Sequence, residues 1–258
     1  MTRRAERYID AVSATVIVPA RLASSRLPQK VLLAETGRPL VQHVVDRCAD
    51  ANGVGRVVVA ADDPSIVAAL ETFGTSVVLT SPACRTGTER VAEAAATLGL
   101  ADDALVFNVQ GDEPEIDSRV LTALAARMDE ADAPPMGTAW VAFPNGADVA
   151  NPNLVKVVVD ASGGRCLWFS RSPIPFARQE APHYRLHVGI YAFRVGFLKR
   201  LATLPPTPAE LAESLEQLRV LEHGHSIAAV EAHDHRGGID TPEQYAAFVG
   251  RWKDAGNR

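Results

Sequence analysis

Short apolar runs alternate with longer amphipathic stretches along the first half of the chain. A run rich in β-branched residues at 15–19 predicts a buried strand, and similar runs follow at 56–61, 76–79 and 105–110. Between and after them, apolar residues recur at helical spacing over 40–51, 64–73, 88–98 and 118–129. Because strands and helices alternate, the pattern predicts an α/β fold with a mostly parallel sheet covered on both faces.

The second half of the chain has a different pattern, in which Pro and Gly separate short strand-like runs. These runs lie at 137–143, 155–160, 167–170 and 187–193. We expect them to form a β-rich extension of the same sheet that partly folds over the site. Helices are predicted at 195–204, at 208–221 and from Pro242 onward, with a strand at 226–231. Since no internal repeat or long linker interrupts the pattern, we expect 14–258 to form one domain after a flexible extension at 1–13.

Composition narrows the class of protein. Hydrophobic residues make up 47% of the 258 residues, which is enough for a full core, and the net charge of −5 argues against a nucleic-acid-binding surface. No apolar run reaches the length of a membrane span, so we expect no membrane insertion. The three cysteines, Cys48, Cys84 and Cys166, form no C-x-x-C pair, which indicates a reducing, cytoplasmic environment.

A loop with three cations follows the first predicted strand. Arg21, Arg26 and Lys30 lie at the carboxyl end of that strand, where open α/β sheets bind ligands, and Ser24 and Ser25 add hydroxyl donors. The loop carries neither the dinucleotide glycine fingerprint nor a Walker A motif. A solvated basic loop is one interpretation, and a site for a strongly anionic ligand such as a nucleoside triphosphate is the other.

Carboxylates at two further positions are candidate metal ligands. Asp112 follows the strand at 105–110 and would share a crevice with the basic loop, where a carboxylate suits Mg²⁺ with substrate phosphates. A turn in which Asp112 bonds its own backbone is the alternative. Asp240 and Glu243 form a D-x-x-E capping box before the last helix, so Asp240 is either a helix cap or a second metal ligand.

Three other segments carry candidate polar residues. Thr86 and Thr88 open a predicted helix, where they either cap it or bind a nucleotide base or sugar hydroxyls. His187 lies on an apolar strand, a position typical of a core histidine. The run from Glu216 to Arg219 lies on an amphipathic helix, whose polar face is usually solvated.

Eight motifs in order carry a resemblance to a known family. They are V-P-A-R-L-A-S-S-R-L-P-Q-K at 18–30, T-G-T-E-R at 86–90, N-V-Q-G-D-E-P at 108–114, N-P-N-L-V-K at 151–156, F-S-R at 169–171, H-V-G-I-Y at 187–191, L-E-Q-L-R at 215–219 and G-I-D-T-P-E at 238–243. Together they resemble the 3-deoxy-manno-octulosonate (Kdo) cytidylyltransferases, or CMP-Kdo synthetases, from about residue 14 to about residue 249.

The resemblance implies a Rossmann-like three-layer nucleotidyltransferase fold, CTP and Mg²⁺ as requirements, and a homodimer. It implies that Ala20, Arg21 and Lys30 hold the triphosphate and that Asp112 and Asp240 bind Mg²⁺, with Arg21, Lys30 and both aspartates as the catalytic set. It also implies that Thr86 and Gln110 contact the cytidine or the sugar acid. The residues implied for the acceptor's carboxylate and hydroxyls are Arg171, His187, Glu216 and Gln217.

The chain departs from the family pattern at three places. Gln29 stands where the family usually has glycine, and Cys84 and Arg85 replace the usual His-Gln before the helix at 88–98. The segment between Ile174 and His187 is short for the family. The acceptor therefore stays open between Kdo, an 8-amino analogue and another acid, and a non-catalytic nucleotide-binding protein is the alternative from another class.

Overall fold

The structure, a computed structural model, describes residues 13–180 and 182–256. Apart from Ser13, the predicted N-terminal extension lies outside these residues. The strands are β1 Ala14–Ala20, β2 Val54–Ala61, β3 Ser76–Leu79, β4 Leu105–Asn108, β5 Met136–Ala142, β6 Lys156–Val159, β7 Arg165–Ser170, β8 Arg185–Arg194 and β9 Ile227–Glu231. The helices are α1 Leu40–Ala49, α2 Pro64–Glu71, α3 Gly87–Thr97, α4 Ser118–Met128, α5 Val195–Thr203, α6 Pro208–Glu213, α7 Gln217–Glu222 and α8 Pro242–Asp254, and a 3₁₀ turn spans Lys30–Leu32.

The nine strands form one mixed sheet in the order β3-β2-β1-β4-β8-β5-β9-β7-β6. Strands β3, β2, β1 and β4 are parallel, as the alternating pattern of the first half predicts. The expectation of a mostly parallel sheet fails beyond β4, because β8 runs antiparallel to both β4 and β5. Parallel neighbours need a crossover connection, usually helical, and the described chain between β5 and β8 contains no helix.

Both faces of the sheet are covered, which confirms that part of the prediction. Val16 and Val18 of β1 pack into one hydrophobic cluster, whereas Ile17 between them packs into another. Alternate side chains of a strand point to opposite faces, so β1 is buried from both sides. This burial places the ends of β1 and β4, and the loops that follow them, at one edge of the sheet.

The predicted single helix at 208–221 is in fact two helices. Ser214 ends α6 with φ of 51° in the left-handed region, and Glu216 immediately precedes α7. Apolar residues keep a helical spacing on both sides of Ser214, so the sequence pattern does not indicate the break. The break puts Glu216 and Gln217 at the start of a separate helix rather than along the side of a long one.

The last helix packs on the segment that carries the basic loop. Tyr245, Phe248 and Ile239 share a small buried cluster with Leu27 and Leu40. None of the helices in the described ranges combines the length and the apolar character needed to cross a bilayer. The cluster holds the residues before α8 against the loop that follows β1, and so determines which side chains meet there.

Candidate active site

The basic loop and the tip of β4 line one cavity of about 330 Å³. Arg21, Arg26 and Lys30 face it from one side, and Gln110 and Asp112 from the other. Ala20 is fully buried at the end of β1 and does not line this cavity. This is the crevice that the order of strands and loops predicts.

Two carboxylates meet at Lys30 within this cavity. Lys30 Nζ donates to Asp112 Oδ2 at 2.5 Å and to Asp240 Oδ1 at 2.8 Å, although Asp240 is 210 residues away in sequence. Arg26 lies 2.8 Å from the other oxygen of Asp240. Burial lowers the pKa of Lys30, but the charges and hydrogen bonds of the two aspartates outweigh it and raise the pKa above its usual range.

Backbone contacts bring the two carboxylates together. Ile239 N donates to Asp112 O at 2.8 Å, which joins the loop before α8 to the tip of β4. A Cβ on Gly238 would lie 3.4 Å from Asp112 Oδ1, and one on Gly111 would lie 3.0 Å from Pro19 O. Gly111 therefore allows the tip of β4 to approach Pro19 closely, whereas a side chain on Gly238 would make only an ordinary contact.

The predicted capping role of Asp240 is wrong. Thr241 is the N-cap of α8, its hydroxyl accepts from Gln244 N, and Gln244 completes the capping box in place of Glu243. The carboxylate of Asp240 therefore points to Lys30 and Arg26 and takes no part in capping the helix.

The donor set at Lys30 fits a divalent cation that also binds phosphate. No group of three or more His, Cys, Asp or Glu side chains able to hold a metal occurs within residues 13–180 and 182–256. Mg²⁺ is usually bound by one or two carboxylates, with substrate phosphates and water supplying the remaining oxygens. Asp112 and Asp240 provide that number of carboxylates beside three cations suited to phosphate.

The threonines at the start of α3 are bound to a glutamate. Thr86 is the N-cap of α3, and its hydroxyl accepts from Glu89 N at 3.1 Å. Thr86 and Thr88 also donate to the carboxylate of Glu216, at 3.2 and 2.5 Å. The capping interpretation therefore holds, and the same hydroxyls fix Glu216 beside the start of α3.

A second cavity, of about 620 Å³, adjoins the first and shares Arg26 and Asp240 with it. Arg171 and His187 line this second cavity, together with Asn151 and Asn153. Glu216 and Gln217 are not among its lining residues. The structure thus places Arg171 and His187 on this cavity. Glu216 and Gln217, the other two residues implied for the acceptor, belong to a separate hydrogen-bond network.

The hydrogen-bond network of Glu216 and Gln217 also includes Tyr191, which was not among the predicted site residues. Tyr191 donates to Gln217 Oε1 at 3.2 Å, and its ring lies 5.5 Å from that of His187. Gln217 Nε2 is buried and has no partner among the described residues. Tyr191 lies four residues after His187 on β8, so period-two alternation along the strand could have identified it.

His187 is a neutral hydrogen-bonding group. Burial, together with the nearby His235, lowers the pKa of His187 to about 3. Thr138 Oγ1 lies 3.0 Å from His187 Nε2 and donates its own proton to a backbone carbonyl, that of Ile190 at 2.8 Å. We therefore assign the ring proton to Nε2, which leaves Nδ1 as an acceptor suited to a hydroxyl group.

Arg171 is held mainly by backbone carbonyls. Its guanidinium donates to Glu213 O at 2.6 Å, Pro152 O at 2.8 Å and Ser214 O at 3.3 Å. A guanidinium has five N–H donors, so these three bonds leave two for a ligand. The side chain therefore joins the turn between α6 and α7 to the loop before β6.

The three residues that depart from the family pattern are accommodated locally. Gln29 has φ of 51° and ψ of 31°, the left-handed conformation that glycine adopts without strain. The Cys84 thiol donates to Glu93, and Arg85 pairs with Glu89 at 2.6 Å. The extra cation of the Cys84–Arg85 loop is therefore paired within the first turn of α3, while the carbonyl of Arg85 accepts from Arg21 at 2.9 Å.

Comparison with known proteins identifies the class to which this fold and site belong. The cytidylyltransferase family model matches residues 15–227, so the chain belongs to the cytidylyltransferase family of nucleotidyltransferases. A 3-deoxy-manno-octulosonate cytidylyltransferase of Acidovorax sp. is 46% identical over 245 residues, covering 88% of this chain and 93% of that protein. Those of Idiomarina loihiensis and Methylibium petroleiphilum are 44% and 45% identical, covering 90% and 95% of this chain and 95% and 97% of theirs. The family resemblance is thereby confirmed.

Solved structures agree with this assignment. A CMP:2-keto-3-deoxy-manno-octonic acid synthetase complexed with CTP superposes with a TM-score of 0.88 at 39% identity, covering 94% of this chain and 99% of that one. A cytidylyltransferase from Leptospira borgpetersenii has a TM-score of 0.61 at 17% identity, covering 94% and 87%, and shares the fold.

Proposed function

We propose that this cytidylyltransferase activates Kdo with CTP, forming CMP-Kdo and pyrophosphate for the synthesis of lipopolysaccharide-type glycans. One observation carries the proposal: Lys30, Asp112 and Asp240 meet where the two cavities adjoin. The basic cavity suits a triphosphate, and the other cavity carries groups suited to a polyhydroxy acid. The names of the similar proteins support CTP and Kdo as the two substrates.

In this proposal the cations of the basic loop bind the triphosphate. Arg21 and Lys30 neutralise the charge that develops on pyrophosphate as it leaves. Asp112 and Asp240 would hold Mg²⁺, which would stabilise charge on the phosphate oxygens. Lys30 keeps the two carboxylates in position, since it bonds both of them. Thr86 and Gln110 are proposed to contact the cytidine or the sugar acid.

The acceptor occupies the second cavity. His187 accepts a hydrogen bond from an acceptor hydroxyl at Nδ1, and the free N–H groups of Arg171 bind its carboxylate. Glu216 and Gln217 do not line this cavity, and they are proposed to bind acceptor hydroxyls that extend beyond it. The anomeric hydroxyl then attacks the α-phosphorus of CTP, the new P–O bond forms, the bond to pyrophosphate breaks, and the hydroxyl proton passes to solvent.

We also propose the organisation implied by the family resemblance. Residues 14–258 form one domain, and the four parallel strands with their helices constitute its Rossmann-like three-layer half. A homodimer is supported by large apolar side chains that are exposed in the described chain, among them Leu167, Trp168 and Leu211. A cytoplasmic location is supported by three free cysteines.

A pyrophosphate-release screen tests the proposed function. Four nucleoside triphosphates are each combined with Mg²⁺ and either Kdo or its 8-amino analogue. We expect release with CTP and Kdo to exceed every other combination by at least tenfold. Faster release with the 8-amino analogue would show that this analogue, rather than Kdo, is the acceptor. Binding of CTP without turnover on any acceptor would favour a non-catalytic nucleotide-binding protein.

A further inference from the structure

Lys156, at the start of β6, carries a buried positive charge. The residue is fully buried, in register with Ser170 of β7 on one side and Leu186 of β8 on the other. Its Nζ donates to Asn151 O at 3.1 Å and to Arg171 O. Both of these bonds are made to backbone carbonyls, so neither of them supplies a compensating negative charge.

The charge of Lys156 has no counter-ion in direct contact. Within residues 13–180 and 182–256, no carboxylate lies within 4.0 Å of its Nζ. Glu213 and Asp148 act on it only through space, and the two Glu213 oxygens already accept from Ser170 Oγ and Arg171 N. An isolated buried ammonium is costly, so a neutral side chain that donates to the same two carbonyls would serve a purely structural role at least as well.

The surroundings of Lys156 form one wall of the second cavity. Asn151 and Arg171, whose carbonyls it binds, both line that cavity. Val155, which precedes it, and Leu186, which pairs with it across the sheet, also line the cavity. The buried ammonium therefore lies directly behind the cavity wall, where its charge is screened less than it would be in water.

We propose that Lys156 is a positioning residue that selects a carboxylate-bearing acceptor. Its ammonium group offsets the partial negative charge of two carbonyls at the cavity wall and adds a positive potential behind it. The proposal rests on the proposed function, because it assigns the second cavity to the sugar acid. It deepens that function by naming the feature of the substrate that the cavity recognises, the carboxylate.

The test compares Kdo with its uncharged methyl ester in wild type, Lys156→Met and Lys156→Gln. Methionine removes the charge at similar length, and glutamine keeps an N–H donor for the carbonyls while removing the charge. Lys199→Met is the matched control, since Lys199 is a half-exposed cation paired with Asp102 at 2.7 Å and does not line either cavity. Thermal unfolding of each variant reports whether it folds. If Lys156→Met does not fold, Lys156→Gln decides the test.

We expect both Lys156 variants to raise the KM for Kdo at least tenfold, with the KM for CTP within twofold of wild type. The preference for Kdo over its methyl ester should shrink at least fivefold, while Lys199→Met leaves both values unchanged. Equal losses with the acid and the ester would mean a merely structural role and overturn the proposal. A wild type that is inactive with CTP and Kdo would instead overturn the proposed function.

Discussion

Asp112, Asp240 and Lys30 form the most informative contact in the molecule at the scale of single residues. The two carboxylates are partly exposed, at 25% and 36%, whereas the Lys30 side chain that bonds them is 14% exposed. Like charges so close together are stable only beside a cation. The ammonium of Lys30 provides that cation in this structure, and the same carboxylates are suited to a divalent ion when a triphosphate arrives.

Neutral substitution of either carboxylate tests this role. We expect Asp112→Asn and Asp240→Asn each to lower kcat at least a hundredfold, because each removes one proposed metal ligand. Thermal unfolding should change little, since asparagine keeps the shape of the side chain. Asp160→Asn, in the exposed turn between β6 and β7, is the control and should keep wild-type turnover. Near wild-type turnover in either site variant would refute the metal assignment.

Sequence reasoning placed one of these aspartates by position and the other only by resemblance. Asp112 follows a buried strand, and strand tips of a parallel sheet share one edge, so its meeting with Lys30 could be predicted. Asp240 is brought to the site by a backbone bond from Ile239 to Asp112. The spacing of Asp240 and Glu243 does not indicate that long-range bond, and it favoured a helix cap instead.

At the scale of elements, α8 connects the C-terminal region to the basic loop. Phe248 is buried against Leu27 and Leu40, and the Tyr245 hydroxyl accepts from Glu35 N at 2.9 Å. These contacts lie on the segments immediately before and after Lys30. The packing of one helix therefore controls the distance between Asp240 and Lys30.

Truncation of Phe248 should affect both stability and activity. Phe248→Ala removes a ring from this small cluster, and we expect unfolding free energy to fall by about 3 kcal/mol. Because Asp240 immediately precedes the N-cap of α8, we also expect kcat to fall at least tenfold. Leu198→Ala, in the opposite hydrophobic cluster, should cost similar stability but leave kcat near wild type. Equal kinetic effects in both variants would contradict a specific role for α8.

The contact of α8 with α1 also makes stability depend on pH. His43 of α1 is buried and makes edge-to-face contacts with Phe248 and Trp252, at 5.1 and 4.3 Å between ring centroids. Its Nε2 lies 2.7 Å from Thr36 Oγ1. Burial is the main cause that lowers the pKa of His43 to about 4. The charge of Asp46 raises this pKa and that of Arg38 lowers it, and both effects are smaller. The folded protein therefore keeps this imidazole neutral over a range where the unfolded chain protonates it.

The sign of this linkage follows from the lowered pKa. As pH falls below about 6.5, the unfolded chain binds a proton that the folded chain does not, so stability decreases until about pH 4. Between pH 7 and pH 5 we expect His43 alone to cost about 2 kcal/mol. Urea unfolding of His43→Gln should show a drop smaller by that amount, with His233→Gln as the surface control. An unchanged drop in His43→Gln would contradict the account.

At the scale of the whole molecule, the sequence predicted the elements better than their arrangement. The strand at 76–79 matches β3, because turns bound a short apolar run on both sides. The mixed order of the sheet could not be predicted, since the pairing of β8 with both β4 and β5 depends on contacts between distant segments. The break at Ser214 was also missed, because helical spacing continues across it.

The candidate site shows the same division. Residues at strand tips and helix starts, such as Arg21 and Thr86, were found from their local positions. The neutral state of His187 and the backbone bonds of Arg171 depend on packing, so no pattern in the sequence indicates them. Lys156 was found only as part of a motif, and its burial beside the second cavity gives it a distinct role.

In the proposed reaction, the acceptor attacks the α-phosphorus of CTP at the junction of the two cavities. Phosphorus NMR of the wild-type protein with CTP, Mg²⁺ and Kdo tests it most directly. We predict that the three CTP resonances are replaced by a pyrophosphate resonance and one phosphodiester resonance of CMP-Kdo, with intensities of two to one because each pyrophosphate contains two phosphorus atoms. Formation of CDP and phosphate, free CMP without the diester, or unchanged CTP would contradict the account.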